Sequence, residues 1–411
     1  MTHRHAAAGV TLGGKAAVSL FIVSLLAFVA ESQLTEYVQN GLGFRQPYFI
    51  FYVVHSSFSI MLPIHMLYLA ISSNSIGSLW AGLILALKRQ LSSSSIPVHL
   101  ERGLSDLPTR RFVAMILLLT AGMTIPGLLW FLAVPLAPIT DVTALWNTNA
   151  FFAYLFSVKL MHLTWEPRRL AAVLFATLGA TIVVYGSGAS DGEDTSANSK
   201  ASLQGLFSLS PAFLGDMLTL VASVVYGLYQ VLYKLHIALP SDPEVQADAA
   251  YRCLATSSEA IPDDLEESMG EIAEPDPTAS PSDAVYPPPF GLYPNFLTSA
   301  IGLCTFLVLW IPIPILHFYD ITPFYFPTTS QQVFVIAGIA LGGAIFNAGF
   351  MILMGVWGPI VTSVGSLLTI VLMFASDALF GRSMGSITIW SMLGSGCIVL
   401  AFTALAYEII R

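Results

Sequence analysis

The sequence predicts an all-α integral membrane protein with ten transmembrane helices set as two inverted five-helix repeats. Three observations lead there. Apolar residues fill 55% of the 411 positions and charged residues only 10%, whereas a soluble domain carries roughly 25% charged residues. Ten apolar stretches approach about 20 residues, the length that crosses a hydrocarbon core about 30 Å thick. They fall into two sets of five, and an odd number of crossings leaves the chain on the face opposite its start. A second copy of such a unit must insert upside down.

Residues 1–15 are polar and small and form a cytosolic N-terminus. The first apolar stretch is followed by Glu31, Gln33 and Glu36 rather than a small-residue cleavage site, so it reads as a retained span. The first repeat covers 16–187, with spans at 16–38, 47–72, 111–135, 138–161 and 168–187. An external loop occupies 188–212. The second repeat covers 213–235 and 292–408, with spans at 213–235, 292–317, 331–354, 357–380 and 387–408. Tight hairpins recur at matching places: Pro135 to Pro138 joins spans 3 and 4, and Trp357-Gly358-Pro359 joins spans 8 and 9. These four positions, Pro135, Pro138, Gly358 and Pro359, are candidate gating hairpins.

Between spans 2 and 3, Ile76, Leu79, Trp80, Leu83, Ile84 and Leu87 recur at helical spacing and end in Lys88-Arg89. Their short apolar run predicts an interfacial helix at 76–90 on the inner leaflet. Read instead as a span, it would invert everything downstream. The segment 237–290 is rich in Asp, Glu, Ser and Pro and is expected to be a disordered acidic cytosolic insert, either a solvated linker or a partner-binding tail. It holds 12 of the 25 acidic residues and so accounts for the net charge of -9.

With the N-terminus in the cytosol, 13 of the 16 Lys and Arg lie on the cytosolic side, and only Arg45, Lys200 and Arg382 lie outside. That asymmetry supports the map through the positive-inside rule. Both termini are then cytosolic in a multi-pass protein, and vacuolar, Golgi or ER, and plasma membranes fit the pattern equally. Cys304 and Cys397 fall in spans and Cys253 in the insert, a placement that does not suit an extracellular disulfide.

Polar side chains inside the membrane are the functional suspects, because a charge at the bilayer centre costs at least about 2.5 kcal/mol. Glu31 lies in the outer half of span 1 and either snorkels outward or faces a cavity, where it is the candidate for cation or proton coupling. His55 and His65 lie in span 2, as neutral hydrogen-bonding residues or proton carriers. Span 4 carries Trp146, Asn147 and Asn149, whose amides need partners in lipid. Asn147, Phe151 and Tyr154 share one helical face suited to gripping a ring-containing molecule. Span 6 places Tyr226, Tyr229 and Tyr233 in one row beside Gln230; Tyr233, next to Lys234, also fits an inner aromatic belt. In the second half, Asn347 follows a small-residue face of Gly338, Gly342 and Gly349, while Ser363 and Ser366 offer hydroxyls in span 9. The residues form no convincing nucleophile, base or metal set, so an enzyme, a bound metal, a cofactor and a nucleic-acid partner are not expected.

The segment Pro138 to Gly186, with Asn149-Ala150-Phe151-Phe152 and Arg168-Arg169, resembles the fourth and fifth helices of the drug/metabolite transporter superfamily. So do Gly215-Asp216 leading into Tyr226-Gly227-Leu228-Tyr229, and the run from Phe346-Asn347-Ala348-Gly349 through Trp357-Gly358-Pro359 to Leu367-Leu368-Thr369. The likeness extends over nearly all of the chain outside the insert and termini. It is strongest to the EamA-like, solute-carrier-35-related branch, including fungal thiamine-transporter-like proteins. The resemblance implies a five-plus-five carrier with a central cavity, alternating access across the lipid bilayer, a small-molecule substrate and often a homodimer.

Fold alone does not name a substrate. No Lys or Arg is expected deep within a span, while Glu31, Glu36, Asp141, Asp216 and Asp377 project to the outer side and would concentrate cations. A cationic or neutral organic metabolite, thiamine-like among them, is therefore expected over a nucleotide sugar or other anion. A transport-inactive membrane scaffold is the reading of a different class.

Overall fold

The computed structural model describes residues 14–71, 75–91, 108–133, 136–137, 142, 145–163, 165–188, 211–239, 287–321, 323–379 and 389–410. Every regular element among them is helical. Six helical rods are long and apolar enough to cross a membrane: Lys15–Gln39, Pro47–Ile71, Thr109–Ala133, Phe213–His236, Leu292–Phe318 and Ser330–Trp357. Shorter apolar helices cover Pro359–Met373 and Met392–Tyr407. The chain has the build of a multi-pass membrane protein.

Helix α1 (Gly14–Glu36) ends in a π-turn at Tyr37–Gly41. Pro47 then opens α2 (Pro47–Ser57), where its missing donor is harmless. This rod breaks at a 3-10 turn, Phe58–Ile60, and resumes as α3 (Met61–Ile71). The cause is Pro63, whose ring cannot coexist with the carbonyl of Ser59 four residues back. The opened ladder is filled from outside: the hydroxyl of Ser299 accepts from Leu62 N at 2.7 Å and donates to Phe58 O at 3.1 Å.

Next come α4 (Ile76–Leu91), α5 (Thr109–Ala133), α6 (Asn149–Leu160), α7 (Pro167–Gly188) and α8 (Pro211–His236). The seventh expected span is also broken, into α9 (Leu292–Val308) and α10 (Pro312–Phe318). Here Tyr48 donates to Leu309 O at 2.8 Å and Tyr52 to Phe306 O at 3.2 Å, satisfying carbonyls released at the end of α9. Helix α11 (Ser330–Trp357) starts with a capping box between Thr329 and Gln332. Gly358, at φ 80°, turns the chain directly into α12 (Pro359–Ser366), followed by α13 (Leu368–Leu379) and α14 (Ile389–Ile410). That φ lies in the left-handed region, where glycine carries no Cβ penalty.

The expected spans thus need correction in detail. Span 4, placed at 138–161, is interrupted at Thr148, with residues 145–147 helical before the turn and α6 after it, and span 9, placed at 357–380, is interrupted at Leu367. Pro135, Pro138 and Asp141 lie outside the described residues, as do most of the external loop and of the acidic insert.

Packing pairs run across the two halves. Helix α1 lies on α11, α5 on α8, α2 and α3 on α9, α6 on α12, and α7 on α14. Further contacts join α1 with α13, α6 with α8, α2 with α11 and α5 with α9. Small residues permit the closest of these approaches: a Cβ on Gly342 would stand 3.1 Å from Ala27 O, and one on Gly179 would stand 2.8 Å from Gly394 O. Large apolar side chains such as Leu67, Tyr68, Leu118, Phe334 and Leu400 point outward, as a lipid-facing periphery requires. Helix α4 turns Leu79, Leu83, Ala86 and Leu87 into the core shared with Tyr233 and Tyr293, while Ile76 stays exposed. It is fastened at its end by Gln90 Nε2, which donates to His236 O at 2.7 Å.

Candidate functional site

Helix α8 carries a row of rings. Tyr226, Tyr229 and Tyr233, spaced three and four residues apart, stack with centroids 6.0 and 6.5 Å apart and ring planes within 28°. Trp146, just before α6, extends the row, 5.2 Å from Tyr226 and 25° from parallel. What brings α6 so close is Gly227: a Cβ there would stand 3.0 Å from both Ala153 N and Phe152 Cβ. Gly122 of α5 plays the same part for Tyr229, since its Cβ would meet Cδ2 of that ring at 2.6 Å. Tyr233 is 1% exposed, so the belt reading of that residue fails: it belongs to the core.

Polar groups surround the row. Gln230 is buried, and its Oε1 accepts from Ser363 of α12. Thr148 and Ser223 pair at 2.8 Å, tying α6 to α8. Asn149 Nδ2 donates to Trp146 O at 2.7 Å, while Asn149 Oδ1 is buried with no donor. Asn147 is buried beside them. One group of residues, from both halves of the sequence, therefore meets here: Trp146, Asn147, Asn149, Tyr226, Tyr229 and Ser363.

Glu31 occupies a second place. Its carboxylate is wedged between α1, α2 and α11: a Cβ on Gly343 would stand 2.8 Å from Glu31 Oε1 and would also clash with Val54. Glu31 Oε2 is buried and has no hydrogen-bond partner among the described residues. The side chain does not snorkel outward; it faces protein. Nearby on the same helices, Ser57 Oγ lies 2.6 Å from Val54 O and 3.0 Å from Ala340 O. Asn347 turns its amide back onto its own helix, donating to Gly343 O at 2.8 Å.

The remaining expected residues are dispersed. His55 is buried against Phe51 and Phe58, with Nδ1 3.0 Å from Phe51 O, and its ring faces Gly127 of α5. Phe151 packs with the α7 and α14 core rather than with the tyrosine row. Tyr154 is also in that core, its hydroxyl donating to Glu166 O at 3.3 Å and its ring lying against Trp165. Helical spacing put it on one face with Asn147, but the break in the chain before Asn149 alters the phase. Ser366 donates to Ser363 O at 2.6 Å within α12, just before the interruption in span 9.

Several contacts escaped the sequence reading. His65 meets Asn295 of α9, Nδ1 to Nδ2 at 2.7 Å. Lys234 donates from Nζ to Gly355 O in the last turn of α11, where a cation complements the helix dipole. Ser299 and its insertion into the ladder of α2 and α3 left only a faint signal, a hydroxyl within an apolar run opposite Pro63.

No protein-family model matches the chain, and no curated protein matches it. Among solved structures, one known only as the crystal structure of a protein is similar over 96% of this chain and 99% of its own, with a TM-score of 0.54 at 12% identity. The likeness is one of fold.

Proposed function

We propose that this chain is a membrane carrier for a small organic molecule, built from two oppositely inserted five-helix units that work by alternating access. The observation that supports it is the packing scheme. Exchange α1 with α8, α2 and α3 with α9 and α10, α5 with α11, α6 with α12 and α13, and α7 with α14. Then the contact of α1 with α11 becomes that of α8 with α5, α1 with α13 becomes α8 with α6, and α2 with α11 becomes α9 with α5. The pairs α2 with α9, α6 with α12 and α7 with α14 map onto themselves. A two-fold axis lying in the membrane plane would generate this pattern, as in carriers with inverted repeats.

Polar groups from both halves of the sequence meet between the helices, and carriers of this kind bind substrate at the interface of their repeats near the bilayer midplane. The two units would rock about that place, opening it to one side and then the other. Gly358, which lets α11 turn into α12 in a single residue, suits a gating hairpin. A cationic or neutral substrate fits best, because Glu31 offers an oxygen with no donor while Lys234 is engaged by Gly355 O. A proton or cation at Glu31 would supply the missing partner.

The test is uptake by purified protein in proteoliposomes, offered a set of cationic, neutral and anionic metabolites. Saturable, protein-dependent uptake of a cationic or neutral compound is expected. Uptake confined to sugar nucleotides would overturn the charge preference, and no uptake of any class would favour a scaffold.

A further inference from the structure

The row of rings on α8 is graded in exposure. Tyr233 and Tyr229 are 1% and 4% exposed, whereas Tyr226 and Trp146 are only partly buried. Trp146 is the end of the row. Its one ring contact among the described residues is with Tyr226, and it stands two residues before the turn at Thr148 that interrupts the fourth expected span. Gly227 sets the spacing that holds Trp146 parallel to Tyr226. A stack that ends on a partly open indole can be lengthened by one more planar ring, since offset parallel rings attract beyond their area burial. A saturated ring of equal size presents no such face.

A second, independent observation points to a ligand. Asn149 is 2% exposed, and its Nδ2 is held at 2.7 Å by the carbonyl of Trp146 itself. That bond holds the amide against the backbone of Trp146 and leaves Oδ1 buried with no hydrogen-bond partner among the described residues. Buried polar atoms nearly always have a partner. What this one lacks is an N–H or O–H, and a ligand lying on Trp146 would bring it. The Oε1 of Gln230 is not available for that task, being engaged by Ser363.

We infer that Trp146 and Asn149 form a subsite for a planar nitrogen heterocycle, stacked on the indole and donating an N–H to Asn149 Oδ1. The inference rests on the carrier reading for the idea of an organic substrate, and it narrows that substrate to flat, donor-bearing rings. Aromatic faces also favour a positive ring charge.

Binding is measured on the purified full-length protein in detergent by calorimetry with three probes. These are 4-amino-1-methylquinolinium, 1-methylquinolinium, which lacks the amine, and decahydro-1,1-dimethylquinolinium, which carries the same charge but is not planar. The amino compound should bind about tenfold tighter than the saturated one, a difference of the size of one ring stack, and more tightly than 1-methylquinolinium. Trp146→Ala should erase the preference for planar rings and Trp146→Phe should keep part of it. Asn149→Leu should erase the preference for the amine. Equal binding of planar and saturated probes to the unaltered protein overturns the subsite whether or not the variants fold. So does a planar preference that survives Trp146→Ala. Planar-selective binding without any uptake in proteoliposomes would sink the carrier reading alone, and uptake without planar selectivity would sink this inference alone.

Discussion

Ser299 of α9 holds the amide of Leu62 at 2.7 Å, in the position that the carbonyl of Phe58 would fill in an unbroken helix. Because the same hydroxyl donates to Phe58 O at 3.1 Å, one side chain from the second half completes a ladder in the first. Tyr48 returns the favour by donating to Leu309 O where α9 ends. The broken rods of the two halves are thus braced by each other.

Ser299→Ala should strip both backbone groups of their partner and cost about 1–3 kcal/mol, the penalty for an unsatisfied buried polar group. The cost should shrink in a Pro63→Ala background, where the ring that keeps the ladder open is gone and Leu62 N can reach Phe58 O. Thermal unfolding of the two single variants and the double variant in detergent measures the coupling. Strict additivity would show that Ser299 does not act through the break.

Where α11 crosses α1, Gly349 faces Ser24, and a Cβ at Gly349 would overlap the Ser24 hydroxyl. Gly349→Ala should destabilise by about 1–3 kcal/mol through overpacking. Ser24→Ala should recover part of that loss, since it removes the overlapping oxygen. Melting curves that show no recovery would place the damage elsewhere.

Helices with strong local signals were legible in the sequence. The span expected at 331–354 is found at Ser330–Trp357, because a Thr329 cap opens it and Gly358 ends it. The helix expected at 76–90 is found at Ile76–Leu91. The breaks at Phe58–Ile60 and Leu309–Ile311 are marked in the sequence only by Pro63 and Pro312 within apolar runs, and what makes them tolerable, a hydroxyl on a distant helix, was not legible. The candidate site was half legible. Trp146, Asn149, Tyr226 and Ser363 do meet, whereas Phe151 and Tyr154 turn into the α7 and α14 core, a separation decided by the turn at Thr148.

The buried, donorless oxygen of Glu31 should matter to coupling. Glu31→Gln should abolish uptake driven by a pH gradient while substrate exchange without a gradient continues, since glutamine can neither bind nor release a proton at this site. Both rates are read in proteoliposomes loaded with the substrate that the uptake screen identifies. A variant with unaltered rate and unaltered pH dependence would remove Glu31 from coupling.

Opposite insertion of the two halves is tested most directly by the sidedness of matching loop positions. In a cysteine-free background, single cysteines replace Arg45 and Ser75, after the first and second rods, and their counterparts Phe290 and Tyr319, all exposed. Labelling with a membrane-impermeant thiol reagent in oriented vesicles reads which side each faces. Cysteines at 45 and 319 should label from the external side, and those at 75 and 290 from the cytosolic side only. If 45 and 290 label from the same side, the two halves are not inverted and the alternating-access carrier built on them is contradicted.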